Sequence, residues 1–289
     1  MIFIVESGST KSDWVLVNAH EKRKYFTTMG FNPFFHSSAF ISDEILKNDA
    51  IHGLADEVNE IYFYGAGCSS PAKNHVILVG LSTVFKNAKI HVDHDLVACA
   101  YATYQGKNCI SCIIGTGSNS CYFDGKTVSD VIPALGYVLG DEGSGSYFGK
   151  KLLAAYLYGH LTVELSADFE QTFGWNKEQI LDKVYKESNA NVFIASFMPF
   201  VAKHKENPFF QQMIEEGFYE FMRVHVGCYP DFTSVDVHFV GSLAAIFEDS
   251  LMKAANRLSI HVASIIQKPV DGLVDYHLNY LLDKKYVNA

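Results

Sequence analysis

The chain reads as an α/β protein whose strand–helix order is written twice, and three observations say so. Short apolar strands alternate with longer helical patterns. The order begins again after Gln105-Gly106-Lys107-Asn108. Three turns built from glycine and hydroxyl residues stand each at the end of an apolar strand.

The first pass runs through strands at 2–5, 14–17 and 24–28, a helix at 38–54, a strand at 61–64 and a helix at 71–85. A strand at 89–92 and a helix at 95–104, with Ala98, Ala100 and Ala102 on a small-residue face, close it. The second pass has strands at 110–114, 120–123 and 127–132, then helices from Glu142 onward. Late strands at 235–240 and 261–266 are each followed by a helix. Both halves therefore read β-β-β-α-β-α-β-α, with the extra helices collected in 142–229. Two domains are expected, 1–106 and 107–289, with the C-terminal helix free to pack back on the first.

Length and composition agree with this division. The chain has 289 residues, 48% hydrophobic and 19% charged, enough for two well-packed cores. Its net charge is −9, and Lys22-Arg23-Lys24 is the one basic run, so binding along a nucleic-acid backbone is not expected. No apolar run approaches the roughly 20 residues of a membrane span. The first residues enter a strand without a cationic leader or a small-residue cleavage site. Six cysteines are too sparse for a disulfide framework, and a reducing cytoplasm is the expected setting.

The turns carry the chemistry. Residues 2–5 run into Glu6-Ser7-Gly8-Ser9-Thr10-Lys11-Ser12, and 109–114 run into Gly115-Thr116-Gly117-Ser118-Asn119. Residues 237–240 run into Gly241-Ser242, ahead of an apolar helical stretch. Glycine lets backbone N–H groups approach an anion, and the hydroxyls add ligands for phosphate oxygens or a hydrated cation. The first turn is no P-loop, because it lacks the leading glycine and the Gly-Lys pair. Hairpin tips and packing corners would account for any one turn alone; three in matching places read as a nucleotide cleft.

Three further segments stand out. In His91-Val92-Asp93-His94-Asp95, a strand continued to its end would set His91, Asp93 and Asp95 on one face. Either a metal cluster forms there, or Asp95 alone stands where strand becomes helix, as an N-cap or a general base. Residues 136–145 place four glycines around Asp141-Glu142. That is a loop closing over a substrate or a flexible loop with a solvated acidic cap. Cys109 and Cys112 form a C-x-x-C without a second pair, inside an apolar strand, and read as buried structural thiols.

Together these residues resemble the sugar kinase/actin/Hsp70 ATPase superfamily, and within it the BadF/BadG/BcrA/BcrD-type group that includes N-acetylglucosamine kinases. Gly-Thr-Gly-Ser-Asn stands in full at 115–119 and Gly-Asp-Glu-Gly-Ser at 140–144. Glu6 to Ser12 is similar to the first phosphate element, Gly30-Phe31-Asn32 to the substrate turn, His94-Asp95 to the catalytic element and Gly241-Ser242 to the adenosine corner. Glu6 stands where the superfamily usually has Asp, and Ser7 and Ser9 where the group has glycines.

The resemblance implies two ribonuclease-H-like (actin-like ATPase) domains flanking a nucleotide and substrate cleft, with ATP and Mg²⁺ as cofactors and an amino sugar such as N-acetylglucosamine as acceptor. By the same resemblance Asp95 is the general base. Ser7, Gly8, Ser9, Thr10, Lys11, Gly115, Thr116, Gly117, Gly241 and Ser242 bind ATP. Asn32, Asn119 and Asp141 bind sugar, and Glu6 reaches Mg²⁺ through water. A homodimer is compatible with it. The alternatives are an ATPase that activates a partner enzyme, a metal-dependent hydrolase using the 91–95 cluster, and a sugar sensor without turnover.

Overall fold

The computed structural model describes residues 1–18 and 22–282. Its chain divides into two compact units. The first holds residues 1–107, 124–128 and those from 268 on; the second holds 108–123 and 129–267.

In the first unit, β1 (Ile2–Ser7), β2 (Lys11–Val17), β3 (Arg23–Met29), β4 (Glu60–Gly65) and β5 (Lys89–His94) form one sheet in the order β3-β2-β1-β4-β5. β1, β2 and β3 are antiparallel neighbours, whereas β4 and β5 run parallel to β1. The period-two side-chain alternation splits the sheet into two apolar faces. Phe3, Val5, Trp14, Leu16 and Phe63 face one core, with the helices Ser38–Leu46 and Pro71–Val84. Phe3 and Trp14 meet edge to face there, 5.4 Å between centroids. Ile2, Ile4, Val15 and Val17 face the other, against the helices Asp95–Thr103 and Val270–Tyr276. The last two helices touch backbone to backbone, since a β-carbon on Gly272 would lie 2.5 Å from the Ala102 carbonyl oxygen.

The other sheet is formed by β6 (Cys109–Ile114), β7 (Ser118–Phe123), β8 (Val128–Ser129), β9 (Asp236–Val240) and β10 (Val262–Ile266), in the order β10-β9-β6-β7-β8. Read from β8, the strands follow the same sequence of connections as those of the first sheet, so the duplicated pattern is a duplicated topology. The helices between Gly136 and Phe221 are inserted between β8 and β9. They carry most of a phenylalanine-rich core around Phe148, Phe169, Phe197, Phe210 and Phe218.

Two expected elements differ. The helix expected at 38–54 is two helices, because Asn48 interrupts it and caps Asp49–His52, its side chain accepting from the Ile51 amide at 3.2 Å. The strand expected at 127–132 shrinks to Val128–Ser129. The Asp124 carboxylate accepts from the Lys126 and Thr127 amides at 2.8 and 2.6 Å, which withdraws Thr127 from the ladder. Pro133 then has no N–H to give to a ladder, so pairing cannot extend through it. Among the described residues no helix is long and apolar enough to cross a membrane.

Candidate active site

In the first unit, register brings the singled-out residues to one edge of the sheet. Ser7 pairs with Gly65 and Gly65 with His94, so β1, β4 and β5 end level with one another. Ligands of open α/β sheets gather at such carboxyl ends. The Gly8 amide donates to the Lys11 carbonyl at 2.9 Å and closes the first hairpin. Gly30 lies against it, its amide donating to the Thr10 carbonyl at 3.0 Å. A β-carbon there would come within 2.2 Å of the Gly8 carbonyl oxygen, which explains the glycine of Gly30-Phe31-Asn32.

Side chains divide between scaffold and surface. Ser7 is buried; its hydroxyl accepts from the Phe31 amide at 2.9 Å and lies 2.6 Å from Ser12 Oγ. Lys11 pairs with Asp13 at 2.5 Å. Thr10 is exposed and Ser9 half-buried at the tip. Asn32 is buried, with Oδ1 accepting from the Phe34 amide at 2.9 Å. Its Nδ2 makes no hydrogen bond among the described residues, leaving a fixed donor.

Asp95 is the first residue of the helix Asp95–Thr103, directly after β5. It is not the cap. That place belongs to His94, whose Nδ1 accepts from the Leu96 amide at 3.1 Å and lies 2.7 Å from Asp95 Oδ1. The Glu6 carboxyl is pushed up to about 8, by burial first and then by the charges of Asp95 and Asp13, with Lys11 opposing. The Cys68 thiol is pushed up to about 12 by burial and by the charges of Asp95 and Asp93.

The rival cluster does not form. The strand ends at His94 rather than running through Asp95. His91 stacks on Tyr62, 4.7 Å between centroids, and its Nε2 lies 3.0 Å from Glu60. Among the described residues, no group of three or more His, Cys, Asp or Glu side chains is arranged to hold a metal ion. Cys109 and Cys112 are buried thiols in β6 that form no disulfide.

In the second unit, three motifs that are distant in sequence meet at one place. The turn after β6 closes through the Gly115 amide and the Gly117 carbonyl at 2.9 Å. The acidic loop lies on it: the Gly145 amide donates to Gly115 O at 2.9 Å and the Ser146 amide to Thr116 O at 3.0 Å. Ser118 Oγ donates to Glu142 O at 2.6 Å. Asp141 sits in the left-handed region at φ 57°, a conformation that Asp tolerates better than most residues. A β-carbon on Gly117 would lie 3.0 Å from its carboxylate, so the turn and the carboxylate need that glycine. The Asp141 carboxyl is pushed up to about 6, chiefly by burial, with the Ser118 amide opposing.

Gly241 completes the group. Its φ is 133°, and a β-carbon would lie 2.0 Å from the Ile114 carbonyl oxygen, so the β9 corner rests on the end of β6. Ser242 is exposed beside it. Asn119 Oδ1 accepts from the Ser120 amide at 2.9 Å. Two contributors escape a sequence reading. One is the Gly65-Ala66-Gly67 corner after β4, where a β-carbon on Gly67 would meet Asn32 Oδ1 at 2.5 Å. Its signal is a fourth glycine corner after an apolar strand. The other is His225, which has no sequence signal and whose Nε2 lies 3.2 Å from Glu142 Oε2.

Two β-β-β-α-β-α-β units, each bearing glycine corners and carboxylates at its strand ends, define the actin-like phosphotransferase architecture. The chain matches no protein-family model and no curated protein. Among solved structures it is similar to the putative N-acetylglucosamine kinase of Porphyromonas gingivalis. That likeness has 34% identity and a TM-score of 0.90, over 98% of this chain and 100% of that one. A putative N-acetylglucosamine kinase from Chromobacterium violaceum shares the fold at 13% identity and TM-score 0.66, over 95% and 98% of the two chains. So does a ROK family glucokinase from Streptomyces griseus, solved with glucose and AMPPNP, at 14% identity and TM-score 0.54, over 94% and 98%. The chain belongs to the sugar kinase superfamily and is an ATP-dependent sugar kinase.

Proposed function

We propose that this kinase transfers the γ-phosphoryl group of ATP to a hydroxyl of N-acetylglucosamine or a closely related amino sugar. The observation that carries the reading is the 34% identity, over essentially the whole of both chains, to a protein described as a putative N-acetylglucosamine kinase. The full Gly-Thr-Gly-Ser-Asn and Gly-Asp-Glu-Gly-Ser motifs support the finer assignment to the BadF/BadG/BcrA/BcrD-type group.

In this reading Asp95 accepts the proton of the attacking sugar hydroxyl. The hydroxyl oxygen bonds to the γ-phosphorus as the bond to the β–γ bridging oxygen breaks, and ADP leaves. The reaction asks the protein mainly for alignment and charge stabilisation. Asn32 Nδ2, Asn119 and Asp141 grip sugar hydroxyls. Backbone amides and hydroxyls at Gly8, Ser9, Thr10, Gly115, Thr116 and Gly117 hold phosphate oxygens, while Gly241 and Ser242 face the adenosine. Ser7 shapes its turn from below, and Lys11, engaged by Asp13, contributes charge to that turn.

The residues also suit a magnesium ion. Glu6, Asp13 and Asp95 crowd negative charge against a single lysine, and a divalent cation would relieve it. Glu6 would hold that ion's hydration shell, and the ion would neutralise charge on the β- and γ-phosphates.

An ATP-coupled assay over hexoses and amino sugars, with Asp95→Asn as control, tests the reading. N-acetylated amino sugars should be the best acceptors. Turnover confined to non-amino hexoses would overturn the substrate assignment, and undiminished turnover by Asp95→Asn would overturn the base.

A further inference from the structure

We propose that His225 is a positioning residue of this kinase: acting through Glu142, it holds the 140–144 loop, and with it Asp141, over the 115–117 turn. The inference rests on the sugar kinase reading for the importance of that loop, and all its parts lie within the second unit.

His225 belongs to a π-helical turn, Met222–Val226, that continues the helix Pro208–Phe221. The Gly227 amide donates to the Met222 carbonyl at 2.8 Å, the long reach that widens such a turn. π-Turns inside helices cluster at functional sites, because they cost regular hydrogen bonding and re-aim a side chain. Here the side chain is aimed at the acidic loop: Nε2 lies 3.2 Å from Glu142 Oε2.

The ring is only 4% exposed and stacks on Phe221, 5.0 Å between centroids and 19° apart. Its Nδ1 is buried and has no hydrogen-bond partner among the described residues. That pattern selects the tautomer with the proton on Nε2, donating to the carboxylate. The other neutral tautomer would bury an unmatched N–H and turn a lone pair towards Glu142. A phenylalanine could stack on Phe221 without leaving a buried nitrogen unmatched. What the imidazole adds is the single bond to Glu142.

The surroundings make that bond a strut. Gly143, at φ 69°, lies on the same helix, where a β-carbon would meet Phe221 Cβ at 3.0 Å and the Gly217 carbonyl oxygen at 3.2 Å. The loop backbone is tied to the turn through Ser118, Gly145 and Ser146. The His225 carbonyl accepts from Ser120 Oγ at 2.5 Å, one residue beyond Asn119. Helix, strand β7 and loop are thus joined at His225, and its side chain is the tie that reaches the Glu142 carboxylate.

The test uses the full chain and four variants: His225→Phe, His225→Gln, Glu142→Ala and His225→Phe/Glu142→Ala. Glutamine places an amide donor near the imidazole Nε2; phenylalanine keeps the stack and loses the donor. In wild type and each variant, hydrogen exchange of the 140–146 amides, ADP binding and kinetics with N-acetylglucosamine are measured. We expect His225→Phe to speed exchange of the loop amides about tenfold or more. It should lower kcat/KM for the sugar about 10- to 100-fold, with ADP affinity within about threefold of wild type. His225→Gln should recover most of both losses, and the double variant should be no worse than Glu142→Ala alone. Unchanged loop exchange in His225→Phe, or additive losses in the double variant, would overturn the inference. If His225→Phe does not fold, Glu142→Ala carries the test, because it removes the acceptor of the same tie from a partly exposed side chain. Faster loop exchange in an enzyme inactive on amino sugars would support the strut and sink the substrate reading, so the two failures are told apart.

Discussion

Replacing Glu6 by glutamine should stabilise the protein at high pH and do nothing for it at low pH. The Glu6 carboxyl has its pKa raised from 4.5 to about 8, because burial removes water from it and Asp95 and Asp13 add like charge. Between those two values the folded chain holds a proton that the unfolded chain has released. Stability therefore falls as pH rises through this window, and the penalty is complete above the folded-state value. The shift itself sets a ceiling on the order of 5 kcal/mol. Water reaching the exposed side of the group reduces the measurable part to about 1–3 kcal/mol. Glutamine keeps the size and removes the titration. In calorimetry without magnesium, Glu6→Gln should melt about 2–10 °C above wild type near pH 8.5, with the gap closing towards pH 5. Repeating the scan with magnesium and nucleotide should narrow the gap at high pH, since a cation near Glu6 favours the ionised form that only wild type has. A gap that does not depend on pH, or a variant less stable near pH 8.5, would refute the electrostatic account of this corner.

Other outcomes follow from the same geometry. Asp95→Asn should lower kcat about 10²- to 10⁴-fold while calorimetric ATP affinity stays near wild type, as loss of a general base requires. Asn32→Ala should raise the sugar KM about tenfold with the ATP KM unchanged, because the Nδ2 donor is lost together with the Oδ1 that holds the Phe34 amide. Gly241→Ala should cost about 3 kcal/mol or more in denaturant unfolding, since its β-carbon would sit 2.0 Å from a backbone oxygen at a φ of 133°.

The turns were legible because their geometry is local. Gly8, Gly117 and Gly241 declare themselves by residue type and by the apolar strand before them, and the helix after His94 by its alanines. What a sequence cannot display is which neighbour claims a polar atom. Asp95 looks like a helix cap until His94 takes the Leu96 amide. His91 looks like a metal ligand until Glu60 and Tyr62, a strand away, engage it. The 127–132 strand reads well by alternation, yet one carboxylate, Asp124, diverts its first amide. His225 is the extreme case. Its partner Glu142 lies 83 residues earlier, and a π-turn rather than any periodicity aims the ring.

The return of the helix Val270–Tyr276 to the first unit has a consequence for biosynthesis. During translation Ile2, Ile4, Val15 and Val17 are made early, but the helix that helps cover them is made late. At ordinary elongation rates the interval is on the order of tens of seconds. The nascent amino-terminal sheet must therefore wait with part of one oily face uncovered, which makes it a natural client for holding chaperones. A chain stalled short of residue 270 would keep that part of the face uncovered.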